Sequence, residues 1–178
     1  MDRTDHDLDL AVELVNTYWV LASPPESLTD VAAYQRILSD AGDDALAGQL
    51  QPEDLAGLRA LREEIKPVFA AQSAAAAVGI LDPLLRDAAI PARLALDDGA
   101  ARWEWDAGKQ GLPALRARLL TALAAHLIRH GAARIGTCQA DPCTCVYVDR
   151  SRARTRRYCC DQCNDRAAAT AYRRRKST

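Results

Sequence analysis

Apolar positions along the first 130 residues recur at the spacing of amphipathic helices. Leu8, Val12, Val15 and Trp19 follow one another at intervals of four, three and four, so they share one face of a first helix expected to end before Pro24-Pro25. Ser27 with Asp30 is a capping-box variant opening a second helix, with Val31, Tyr34 and Leu38 inward and Gly42 as its terminator. A third helix starts after Gln51 with Pro52 at its first position and Glu53 and Asp54 near the positive end of its dipole. Leu55, Leu58, Leu61, Ile65 and Val68 face inward along it, and Pro67 is expected to kink it. The alanine run at 74–77 predicts a further helix toward Arg86, stopped by Pro91. The period then changes from helical to alternating. Arg93-Leu94-Ala95-Leu96, the turn Asp97-Asp98-Gly99 and Ala101-Arg102-Trp103-Glu104-Trp105 predict a β-hairpin near 93–105 with both tryptophans on one face. Leu115, Leu119, Leu123 and Leu127 mark a long helix closed by Gly131. The expected fold is therefore mainly α with a small β-hairpin, an α+β chain.

Charge divides the molecule at residue 133. The net charge of −1 hides 12 Lys+Arg against 20 Asp+Glu in residues 1–133, and 11 against 4 in residues 134–178. The front is net −8 and the tail net +7. All six cysteines lie in that tail. Cys138 and Cys143 form one close pair and Cys159 and Cys163 another, the spacing of two knuckles that supply one ion with four thiolates; zinc, one per chain, is the expected metal. Spacing alone leaves Cys145 in competition with Cys143, and Cys160 in competition with Cys159. A four-thiolate site has no open position for water, so its role is structural rather than catalytic. It supplies the stability that a forty-five-residue segment with few large apolar side chains lacks. His126 and His130, one helical turn apart near a helix end, read as surface placement or dipole complementation. No apolar stretch follows Met1-Asp2-Arg3-Thr4-Asp5, and no segment approaches the roughly 20 apolar residues of a membrane helix. A reducing, cytoplasmic address is expected.

Between the cysteine pairs runs Asp149-Arg150-Ser151-Arg152-Ala153-Arg154-Thr155-Arg156-Arg157. If extended, this run places Arg150, Arg152, Arg154 and Arg156 on one side as a comb that can meet successive phosphates. A final helix through Ala167–Tyr172 puts Arg166 and Arg173 on nearly one face and continues into Arg174. With Arg157, these residues form the candidate nucleic-acid surface. The bland reading is a solvated basic face paired with the acidic front. Trp103 and Trp105 are candidates to line an effector pocket, although aromatics on an alternating strand also serve as core. The front shows no Gly-rich phosphate loop and no recognisable nucleophile motif, so no enzymatic activity is expected.

The tail pattern Cys138-x4-Cys143, Asp149-x-Ser151-x-x-Arg154-x-Arg156-Arg157-Tyr158-Cys159 and Cys163-x-x-Arg166 resembles the CGNR zinc-finger family. Upstream, Leu14-Val15-Asn16-Thr17, Ser27-Leu28-Thr29-Asp30 and Leu58-Arg59-Ala60-Leu61-Arg62-Glu63 resemble the ABATE domain that precedes this finger in that family. The resemblance implies an ABATE-like helical domain at 1–133 and a zinc-ribbon or treble-clef-like module at 134–178. It favours Cys138, Cys143, Cys159 and Cys163 as ligands, leaving Cys145 and Cys160 as fillers. It also implies a bacterial transcription regulator acting on DNA, nucleoid-associated when bound, whose front half senses a small molecule or forms a homodimer. Where the family name spells Cys-Gly-Asn-Arg, this chain reads Cys163-Asn164-Asp165-Arg166. Asp165 would repel phosphate, or else cap or salt-bridge Arg166 within the module. The alternative function is a docking adaptor whose basic module clasps an acidic partner or its own front domain.

Overall fold

The computed structural model describes residues 3–90, 93–97, 100–104 and 108–176. Seven helices and two small antiparallel sheets follow in order: α1 Arg3–Asn16, α2 Val31–Asp40, α3 Asp44–Ala47, α4 Leu55–Ala70, α5 Ala74–Asp87, β1 Arg93–Asp97, β2 Ala100–Glu104, α6 Gly111–His130, β3 Ile135–Thr137, β4 Val146–Val148 and α7 Asp161–Lys176. This is the mainly α architecture with a small hairpin that the pattern of apolar positions predicts.

α1, α4 and α6 form the centre. Leu8, Leu14, Leu58, Ile65, Leu115, Leu119 and Leu123 are buried in one cluster with Tyr34 and Phe69. The Tyr34 hydroxyl donates to Leu10 O at 3.0 Å, which satisfies the one polar atom its burial would strand. Gly57 lets α4 approach α6, because a Cβ there would sit 2.3 Å from Leu112 Cδ2. Arg118, 6% exposed, crosses from α6 to Asp7 of α1 at 2.5 Å and to Asp43 at 2.6 Å. Three segments distant in sequence are thereby tied by one buried guanidinium.

Three sequence expectations shift. α1 ends at Asn16, where the Thr17 hydroxyl donates to Leu14 O, and Trp19 leaves the helical face to pack beside the cysteines. The α2 cap is Asp30, whose carboxylate accepts from Ala33 N at 2.8 Å; Ser27 instead donates to Thr17 O at 2.7 Å. The third helix opens with a 3-10 turn at Pro52–Asp54 before α4 begins. In the hairpin, Leu94 pairs with Trp103, and the residues 98–99 expected at its turn lie outside the described residues.

The tail does not stand apart from the front. Ile135 of β3 and Val146 and Val148 of β4 belong to the same buried cluster as the helices. The Asn16 amide at the end of α1 reads β4 as a neighbouring strand would, accepting from Val146 N at 2.8 Å and donating to Val146 O at 3.0 Å.

Candidate metal centre and nucleic-acid interface

β3 delivers Cys138, and the turn after it delivers Cys143. Cys138 N donates to Cys145 O at 2.8 Å, and Cys143 N donates to Ala140 O at 2.8 Å, so backbone bonds fix both sulfurs. Cys159 lies just before α7 and Cys163 in its first turn. The four sulfurs all lie within 4.8 Å of one another. Cys143 and Cys159 are separated by 3.8 Å, and Cys159 and Cys163 by 3.6 Å. Bonds of about 2.3 Å to a tetrahedral zinc require edges of about 3.8 Å, so these four sulfurs, the only such group among the described residues, fit that ion. Burial, then the neighbouring thiols, pushes the Cys159 thiol up, and burial leads in raising Cys163 to about 12. A bound cation supplies the charge that lets such crowded sulfurs ionise. When bound, zinc cross-links the two knuckles. The Arg166 guanidinium sits behind them, donating to Ala140 O at 2.8 Å and approaching Cys163 Sγ at 3.5 Å. Cys145 is buried, its thiol raised to about 12 chiefly by burial, while Cys160 is exposed with its sulfur 3.8 Å from that of Cys159.

The arginine run is a folded loop, not a comb. Asp149, 2% exposed, turns one carboxylate oxygen to Ser151 N at 2.8 Å and the other to Arg156 N at 3.0 Å, closing the segment on itself. Arg154 takes φ +54°, which no extended strand permits. Arg134 brackets the loop by donating to Asp149 O and Ser151 O. Arg156 lies along the module surface, donating to the carbonyls of Tyr158, Val148 and Cys159 with its guanidinium 5.4 Å from the centre of the Tyr147 ring. The ring lies against Gly136, where a Cβ would fall 2.7 Å from the tyrosine hydroxyl oxygen. Arg157 donates to Gln139 Oε1, and Arg150 reaches the front domain, 2.7 Å from Asp9 Oδ1.

The predicted nucleic-acid residues thus divide by what they touch. Arg156 and Arg166 build the module, Arg150 and Arg157 are engaged by Asp9 and Gln139, and the Arg152 and Arg154 side chains are exposed with no partner among the described residues. Arg173 and Arg174 lie in the last turn of α7 beside Arg175 and Lys176, where four cations complement the helix dipole. Asp165 is exposed and makes no bond to Arg166, whose guanidinium is directed at Ala140 and Cys163 instead.

Trp103 is 55% exposed opposite Leu94 at 68%; Trp105, the other candidate for a pocket, lies outside the described residues. A cavity of about 710 Å³ lies elsewhere, between Phe69–Ala74 after α4, Gly131–Ala133 after α6, and Gly136, Gln139 and Tyr147 of the module. No helix among the described residues is long and apolar enough to cross a membrane.

Two family models match the chain. Residues 8–132 match ABATE, described as a "Putative stress-induced transcription regulator", and residues 134–176 match the CGNR zinc finger. No curated protein matches it.

Proposed function

The chain belongs to the ABATE family, with a CGNR zinc finger behind that domain, and from this membership we propose that it is a cytoplasmic transcription regulator that binds DNA through the cationic surface of its zinc module. The observation carrying the reading is the division of labour among the arginines. Arg156 and Arg166 are consumed in building the module, while the Arg152 and Arg154 side chains are exposed and the last turn of α7 carries four further cations. A rigid frame presenting unpartnered guanidiniums suits a row of phosphates, because each can bond bidentately. The module acts here by binding rather than by catalysis, since four thiolates complete the coordination of one zinc. The front domain serves as the sensing or dimerising half. Its support is the exposed Leu94–Trp103 pair for self-association and the 710 Å³ cavity for a small molecule.

The test is binding to duplex DNA across a salt series. Neutralising about five phosphates gives a slope of log K against log salt of about −4 to −5. Replacing Arg152 and Arg154 by alanine should make that slope shallower by about 2 with zinc content unchanged. A slope near zero overturns the reading. One observation favours the adaptor reading as second: Arg150 already grips Asp9 of the acidic front. On that reading, Asp9→Ala changes the module's affinity for acidic partners while DNA binding stays weak and nearly independent of salt.

A further inference from the structure

A second group of ligating side chains lies at the seam between α1, α6 and the loop after β4. His126 and His130 are one turn apart at the end of α6, with ring centroids 5.0 Å apart. His126 is only 5% exposed, yet its Nε2 is buried with no hydrogen-bond partner among the described residues. A buried polar nitrogen in that state is unfavourable, so the position calls for a ligand that the described side chains do not supply. Both rings line a cavity of about 300 Å³ with Asp5, Arg134, Asp149 and Arg150. That volume holds a hydrated ion, since a water takes about 30 Å³.

We propose that His126 and His130, completed by Asp5, form a second metal site for a divalent transition ion, separate from the four cysteines. Two histidines at i and i+4 on one helix face chelate a single ion, and imidazole with carboxylate selects zinc, nickel, cobalt or copper over magnesium and calcium. The two guanidiniums at the cavity do not bar a cation. Arg134 is turned to the carbonyls of Asp149 and Ser151, and Arg150 to the Asp9 carboxylate and Asp5 O. Among the described residues only the cysteines already hold three or more ligand atoms within 4.8 Å of one another. Closing the second site therefore requires rotation of the exposed His130 or of Asp5, which makes it the weaker and more exchangeable of the two.

Equilibrium dialysis of untagged, zinc-loaded, full-length protein against Ni²⁺, with metals counted by mass spectrometry, tests this. The expected result is one zinc and one nickel per chain, with nickel falling to near zero in His130→Gln and in His126→Gln while zinc stays at one. His130 is exposed, so its substitution leaves the core intact even if His126→Gln fails to fold. Co²⁺ in place of Ni²⁺ should give a visible spectrum without intense thiolate charge transfer, the signature of nitrogen and oxygen ligands. Absence of nickel from the parent chain, nickel retained by His130→Gln, or nickel appearing only as zinc is lost each overturns the proposal.

Discussion

Glu26 shows how one residue converts a loop into an anchored strap. It follows the Pro24-Pro25 turn, and its carboxylate meets the Arg62 guanidinium through two bonds of 2.8 Å while accepting from Leu28 N at 2.9 Å. Arg62 also donates to the Thr17 hydroxyl at 3.0 Å, so the residues after α1 and the middle of α4 share one network. Burial works against ionising Glu26, but the Arg62 and Leu28 donors outweigh it and hold the carboxyl below its ordinary range. Its contribution is thus present above about pH 4.3 and lost as pH falls through the lowered value. Glu26→Gln is expected to cost about 2–3 kcal/mol at pH 7, since it leaves Arg62 poorly compensated. Urea unfolding of both proteins at pH 7 and below pH 4 checks the sign: the gap must narrow in acid. The pieces of this network stand in the sequence as Leu14-Val15-Asn16-Thr17 and Leu58-Arg59-Ala60-Leu61-Arg62-Glu63, but their partnership does not, because Arg62 and Thr17 meet across 45 positions. Asn16 is hidden in the same way, its bonded strand lying 130 residues on.

Elements were legible in proportion to their length. α6, with leucines every fourth residue, and α5, from the alanine run, fall where their periods place them. β3 and β4, three residues each, are too short to leave a period, and their burial comes from α1 and α4 rather than from the zinc knuckles. In the arginine loop alternation suggests a strand, while Asp149-x-Ser151 carries the contrary signal of an Asx turn, and the turn prevails. That aspartate organises the element. Asp149→Ala removes both carboxylate bonds, to Ser151 N and Arg156 N, without touching a sulfur. Limited trypsin digestion should then cut within Arg150–Arg157 about tenfold faster or more while zinc stays at one per chain; unchanged cleavage would show that the Asp149 carboxylate does not hold the loop.

For the whole molecule, zinc stability and helical stability are coupled because the two halves share apolar residues. Ile135, Val146 and Val148 are no more than 6% exposed and lie in the cluster containing Leu8, Leu14 and Ile65. Full burial of each such side chain contributes about 1.5–3 kcal/mol, so the three together approach the net stability of about 5–15 kcal/mol typical of a domain. The charge boundary at residue 133 marked where composition changes, and composition says nothing of whether a core crosses it. Chelating zinc removes the cross-link that holds the tail folded, and the unfolded tail then withdraws these three residues from α1 and α4. Asn16 loses its strand partner at the same time. The expected outcome in calorimetry is that a chelator lowers the melting temperature of the helical part by more than ten degrees, with loss of helix by circular dichroism in the same transition. Asn16→Ala should reproduce part of that shift in zinc-loaded protein, about 1–2 kcal/mol for a buried strand left half satisfied. A helical transition that keeps its midpoint after zinc is stripped would mean that the front domain closes its core without the ribbon.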